Sequence, residues 1–218
     1  MEPARTDTFR REAEREAEMG LPDPGAAVAI PRHRFSVDDF ARLGEAGIFT
    51  EDDRVELIDG EIRDMTPIGQ PHAWIVNRLT WRLVMRLAGR AWVSVQNPVR
   101  LDRHTEPLPD LVVARGGEDD YADRHLEADD ILLVVEVADS SLRYDRIEKM
   151  PRYAAAGIPE AWLVDVAGGA VTVSTGPGPD GYADRRVFRR GEGIVSTAVA
   201  GLQVTVDEIV GRGGDGSR

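Results

Sequence analysis

Cysteine is absent from the 218 residues, and lysine is nearly so: of 27 basic residues, 26 are arginine and one, Lys149, is lysine. Without cysteine there is no disulfide, no thiolate metal site and no thiol nucleophile. Long apolar runs are also lacking, because arginine or aspartate interrupts each candidate, so no membrane-spanning segment is expected. The N-terminus carries acidic residues and no apolar core. A secretory signal is therefore not expected, and a cytoplasmic protein is. No histidine pair has zinc spacing, and no serine–histidine–acid order stands out. No glycine loop suited to cradling phosphate is visible: Gly168-Gly169 fits a hairpin turn, and residues 176–181 fit a surface loop.

A hydrophobic share of 42% with 30% charged residues fits one soluble globular domain and excludes wholesale disorder. The net charge of −12 argues against indiscriminate coating of nucleic acid. That charge is an average. Residues 71–103 hold six arginines and one acid, Asp102, whereas residues 116–130 hold seven acids and one arginine and read as a solvated loop. Residues 1–24 read as a charged appendage, 25–210 as a single domain, and 211–218 as a flexible tail.

Within that domain Ser36 can cap a short helix over 37–45. Two short strands flank Asp59-Gly60, a two-residue hairpin signal. Val76, Leu79, Leu83 and Leu87 recur at helical spacing, predicting a helix over 72–87 that Gly89 can end. Strands are expected at 92–101, 110–114 and 131–137, a helix at 142–156, and strands at 161–166 and 171–175 followed by shorter ones. Ser140 and Ser141 read as helix caps. The order is that of an α/β fold: a mixed β-sheet core flanked by helices, with an extra N-terminal hairpin and C-terminal strands.

Three residues draw attention on chemical grounds. Glu136 sits in ILLVVEV, a run suited to a strand buried on both faces. A buried carboxylate needs a metal, a cation or a proton. A structural ion pair with an arginine and a functional site both satisfy that need. Asp110 follows Pro109 at a strand start; this is either turn chemistry or a site position. Alternation puts Asp110, Val112 and Ala114 on one face, and Leu132, Val134, Glu136 and Ala138 on one face of the other strand. On adjacent strands the two carboxylates converge, and a hard divalent cation relieves their repulsion. Lys149 is the lone lysine where arginine serves everywhere else. A surface position is the plain reading. From the second helix its compact ammonium can also reach the end of the Glu136 strand, although Pro151 should kink or shorten that helix.

Arg78, Arg82, Arg86 and Arg90 form a stripe along the first long helix, either a solvated face or a set of phosphate contacts. Trp74 and Trp81 on the same helix fit packing or dimer contacts better than base stacking.

Taken in order, Pro109-Asp110, the stretch from Glu136 to Asp145, Lys149, and the stretch from Tyr153 to Asp165 resemble the Uma-type restriction endonuclease family. That family is a branch of the PD-(D/E)XK nuclease superfamily. The likeness extends upstream to residues 55–61 and His72 and covers roughly residues 35–210. It implies a restriction-endonuclease-like core with Asp110 and Glu136 as metal ligands, joined by the backbone carbonyl of Val137. It also implies a lysine carried on the helix, as Lys149, because Ala138 occupies the position where the superfamily's lysine usually stands. Glu56 and His72 match further family positions; their plain readings are a hairpin polar residue and a helix-start residue. Gln96 is a weaker candidate for lining the site. The implied activity is hydrolysis of DNA phosphodiester bonds with Mg²⁺ or Mn²⁺ by a homodimer. A catalytically inert, dimeric DNA- or partner-binding module on the same fold is the alternative, and RNA or another phosphodiester remains open as substrate.

Overall fold

The computed structural model describes residues 32–50 and 52–211. The chain divides into residues 1–33 and Arg34–Arg218, and the second unit holds every element below. The expected appendage over 1–24 and nearly all of the expected tail lie outside the described residues.

Helix α1 (Val37–Glu45) starts as expected. Ser36 Oγ accepts from the Asp39 N–H at 3.1 Å, while the Ser36 N–H donates back to the Asp39 carboxylate at 3.0 Å. This reciprocal box satisfies two otherwise orphaned donors. Strands β1 (Val55–Ile58) and β2 (Glu61–Asp64) form the hairpin. Asp59 and Gly60 both take positive φ, 52° and 77°, as a tight two-residue turn of this kind requires. A Cβ on Gly60 would lie 2.6 Å from the Arg34 Cβ, so glycine is needed there on two counts.

The core is a six-stranded mixed sheet. Its members in chain order are β3 (Trp92–Val95), β5 (Leu111–Ala114), β7 (Ile131–Ala138), β8 (Glu160–Asp165), β9 (Ala170–Thr175) and β10 (Asp184–Arg189). Spatially they run β10-β9-β8-β7-β5-β3, with β7 and β8 parallel and the other pairs antiparallel. Helix α2 (Gln70–Leu87) covers one face: Ile75, Val76, Leu79, Leu83 and Leu87 pack on Leu111, Val113, Leu133, Val135 and Trp162. The opposite face packs Val112, Val134, Ala161 and Leu163 against Met150, Tyr153 and Ala154 of a second helical segment. Cover on both faces explains why β7 is apolar along nearly its whole length.

Four local expectations are corrected. The strand expected over 92–101 breaks at Gln96, whose φ is +50°, and Pro98 cannot donate to a ladder. The chain leaves the sheet there, and β4 (Val99–Arg100) pairs instead in parallel with β6 (Leu126–Glu127). The acidic stretch 116–130 is consequently not wholly solvated, since Leu126 is buried within it. A register shift at Val113/Ala114 sets Ala114 opposite Ile131, so Leu132 packs with the α2-side cluster rather than sharing the Val134 face. Finally, the helix expected over 142–156 is three pieces. These are α3 (Leu142–Tyr144), a π-helical turn (Asp145–Lys149) and α4 (Met150–Ala155). Pro151 has no N–H, and its ring would crowd the carbonyl four residues back. The wider turn before it, closed by the Met150 N–H on the Asp145 carbonyl, accommodates that.

The C-terminal region adds β11 (Gly193–Val195), β12 (Gln203–Thr205) and α5 (Val206–Val210). Glu160 at the head of β8 is fully buried and holds this region in place. One of its oxygens accepts from the Trp162 indole at 2.6 Å. The other accepts from the Thr197 and Ala198 N–H groups at 2.7 and 3.1 Å, and from the Thr197 and Ser196 hydroxyls at 2.8 and 3.1 Å.

Candidate active site

β5 and β7 place the two acidic residues together. Leu111 pairs with Val135 and Val112 with Val134, so Asp110, one residue before β5, stands opposite Glu136 on the same face. Both line a cavity of roughly 460 Å³ together with Glu56, His72, Asp145 and Lys149. β1 contributes Glu56, the first turn of α2 contributes His72, and the π-helical turn contributes Asp145 and Lys149. That turn points Asp145 and Lys149 inward, at 4% and 3% exposure, while Ile147 between them is 53% exposed.

Lys149 is the hub. Its ammonium lies 3.1 Å from Glu56 Oε2 and 3.2 Å from Glu136 Oε1, and donates to the Leu108 carbonyl at 3.3 Å. Each partner carboxylate also accepts from a phenol: Tyr144 on Glu56 Oε1 at 2.8 Å, and Tyr153 on Glu136 Oε1 at 2.5 Å. Glu56 accepts further from the Leu108 N–H at 3.1 Å. Asp110 is held by the Val137 N–H at 2.8 Å on one oxygen. Its other oxygen meets His72 Nε2 at 2.9 Å and Gln96 Nε2 at 3.3 Å. Ser141 does not cap its helix through its side chain; its hydroxyl donates to Asp145 at 2.6 Å. His72 Nδ1 is buried with no partner among the described residues.

Electrostatically the cavity has too much negative charge. Glu56, Asp110, Glu136 and Asp145 are all buried, against one ammonium. Burial drives Glu136 well above the ordinary carboxylate value of 4.5; Lys149 pulls it down, and Asp145 and Asp110 push it further up. Asp145 is likewise raised, chiefly by burial. Burial works against the charge on Lys149, but Glu136, Glu56 and Asp145 outweigh it and keep the ammonium protonated far into the alkaline range. A surplus of buried oxygen donors suits a hard divalent cation. Among the described residues, no three acidic or histidine side chains already stand in ligating positions. An ion would therefore draw its ligands from carboxylates now bonded to Lys149, Tyr153, His72 and the Val137 N–H.

Thus Asp110, Glu136, Lys149, Glu56 and His72 meet in one cavity, with Gln96 touching its Asp110. Val137 lines the cavity wall, and the bond it makes there is through its N–H to Asp110. The arginine stripe does not join them. The Arg78 guanidinium donates to the Glu208 carbonyl at 2.6 Å, and Arg82 and Arg86 both pair with Glu208 Oε1, at 2.9 and 2.7 Å. The three expected substrate contacts instead fasten α5 onto α2, a docking that no local pattern announces. Tyr144, Tyr153, Asp145 and Arg54 also belong to the site or its immediate support and carried no role in the sequence reading. A signal existed for two of them: Asp145 and Tyr153 stand four residues before and after Lys149, at helical spacing.

No curated protein matches the chain. Among solved structures, the crystal structure of a "putative nuclease belonging to DUF820" from Anabaena variabilis ATCC 29413 superposes with a TM-score of 0.65 at 17% identity. The match covers 81% of this chain and 97% of that one. The likeness establishes the fold: the six-stranded mixed sheet with its flanking helices is a restriction-endonuclease-like core. No helix among the described residues is long and apolar enough to cross a membrane. The family described as "Uma2: putative restriction endonuclease" matches residues 37–207, a span that runs from α1 through the clustered carboxylates and Lys149 to α5. With more than three quarters of its length inside that match, this chain belongs to the Uma2 family.

Proposed function

We propose that the protein is a divalent-metal-dependent endonuclease that hydrolyses DNA phosphodiester bonds. The carrying observation is the buried cluster in which four carboxylates face one ammonium. Asp110 and Glu136 would hold Mg²⁺ or Mn²⁺, with Glu56, Asp145 and the Val137 carbonyl available as further oxygen donors. The ion supplies an acidified water and a counter-charge for the phosphoryl oxygens. The chain's own groups do the rest. Lys149, fixed between two glutamates, supplies the positive charge that offsets negative charge developing on the phosphoryl oxygens. Tyr153 and Tyr144 fix the rotamers of Glu136 and Glu56. His72 orients Asp110 through its Nε2. Cutting both strands takes two such centres, which a homodimer would provide. Trp81, Val84 and Met85, exposed on α2, offer an apolar face for that pairing.

The direct test is incubation of plasmid and linear DNA with the purified protein and Mg²⁺ or Mn²⁺. Cleavage is expected in the wild type, with a loss of at least ~10²-fold in Glu136→Ala. DNA left intact by the wild type across many sequences would overturn the proposal and favour the inert binding module.

Metal binding should depend on pH in a defined sense. Glu136 is raised in the folded state, so its proton stabilises the metal-free protein fully below its unfolded value. That contribution is lost as pH rises through the folded value. A cation must displace the same proton. Calorimetric titration should therefore show Mn²⁺ affinity increasing with pH from about 4.5 upward through the raised value of Glu136. Protons should be released on binding, and the heat should vanish in Asp110→Ala. Affinity that is flat or falls over that range would contradict the assignment.

A further inference from the structure

With Arg78, Arg82 and Arg86 committed to Glu208, an anionic substrate needs another cation, and the cavity wall supplies one. Arg54 immediately precedes β1. The extended pairing continues past the hairpin register there, since the Met65 N–H donates to the Arg54 carbonyl at 2.8 Å. In a chain of period two, residues 54 and 56 share a face. Glu56 reaches the acidic centre, and Arg54 lines the same cavity one strand repeat further out. Its guanidinium makes one hydrogen bond among the described residues, to the Thr66 carbonyl at 3.3 Å, and no ion pair with a described carboxylate. Guanidinium carries five donors, so most of its fork is uncommitted. The other cavity cation, Lys149, is saturated by Glu56, Glu136 and the Leu108 carbonyl.

We infer that Arg54 is the substrate-phosphate clamp of this site, binding the phosphate adjacent to the one that reacts at Asp110 and Glu136. The inference rests on the nuclease reading above and assigns to that site the anion contact that the arginine stripe does not make. The planar fork suits two phosphate oxygens at once. The bond to Thr66 holds it against the 65–69 segment, which forms the neighbouring cavity wall. Of the charged side chains lining the cavity, Arg54 alone is a cation without a described carboxylate partner, so it is the one free to exchange into a phosphate contact.

The test is fluorescence-anisotropy binding of a labelled DNA duplex, with Ca²⁺ in place of Mg²⁺ to hold off cleavage, across a range of salt concentration. Arg54→Gln is expected to raise Kd about 5- to 50-fold at low salt and to lower the slope of log Kd against log salt by about 0.9, the value for one lost phosphate contact. Arg54→Lys should keep the slope while losing part of the affinity. Arg82→Gln, altered at a guanidinium already paired with Glu208, should leave the slope unchanged. A wild-type slope in Arg54→Gln overturns the inference while leaving the nuclease reading intact. Absence of DNA binding by the wild type overturns both. Should Arg54→Gln fail to fold, Arg54→Lys decides through its affinity: a weaker Kd at an unchanged slope supports the clamp, and wild-type affinity refutes it.

Discussion

Lys149→Met should leave the protein both inactive and markedly less stable. Methionine keeps the length of the side chain and removes its charge. Glu56 and Glu136, both buried, would then face each other with no cation between them. Breaking a buried ion pair by deleting one partner costs about 3–5 kcal/mol, most of it the penalty of the charge left behind. Urea unfolding at neutral pH, compared with wild type, measures this. Acidification should restore part of the loss, because protonating Glu136 removes the uncompensated charge. Mn²⁺ should also stabilise the variant more than it stabilises the wild type, since the ion can take over the neutralising task. Strand cleavage should fall by roughly 10²–10³-fold or more, the usual effect of deleting one transition-state donor. Lys149→Arg should not rescue, because a planar fork does not fit a site built around a point charge at 3% exposure. A Lys149→Met protein as stable as wild type would mean that the ammonium is not what holds these carboxylates apart.

The second large effect is expected far from the cavity. Glu160→Ala removes the acceptor for two backbone N–H groups, two hydroxyls and the Trp162 indole, all in a dry interior. Each buried donor left unpaired costs about 1–3 kcal/mol, so a loss of about 4 kcal/mol or more is expected. Glu160→Gln keeps one acceptor oxygen and should cost about 2 kcal/mol. Glu160 does not line the acidic cavity, so Mn²⁺ affinity of the folded Gln variant should match that of wild type. Unfolding curves and calorimetry together separate this structural carboxylate from those that line the cavity. A loss under about 1 kcal/mol for Glu160→Ala would contradict the role of Glu160 in holding residues 196–198.

Glu160 also marks where reading the sequence stops. It opens an apolar strand just as Glu136 interrupts one, and the physical demand is the same: a buried carboxylate must be satisfied. For Glu136 the solution is a lysine thirteen residues on, within one helix of the strand. For Glu160 it is a set of backbone and hydroxyl donors at 196–198, thirty-six and more residues away in a stretch with no periodic pattern. Local rules could locate the need and not the partner. The hairpin at Asp59-Gly60, the buried stripe of α2 and the opposition of Asp110 and Glu136 were legible because each depends on spacing within one or two elements. The arginine stripe misled for the converse reason. Its spacing was real, but what covers it, Glu208 on α5, is more than 120 residues distant. The break at Gln96 rests on a left-handed residue that is not glycine, which composition does not flag.

The π-helical turn at 145–149 sets a constraint on how this gene can change. In a helix each residue advances the side-chain direction by about 100°, so chain length acts as a gear between β7 and everything after it. Asp145, Lys149 and Tyr153 mesh with Glu136 only at the present count. An insertion of a single codon between Glu136 and Lys149 would turn Lys149 out of the cavity and bring Glu148 to its place, and a deletion would bring Met150. Substitutions in this interval are filtered one side chain at a time, whereas length changes are filtered all at once. The glycine- and proline-rich loop over 176–181 carries no such gearing. Related genes should therefore vary freely in length there and hold the Glu136-to-Tyr153 interval fixed.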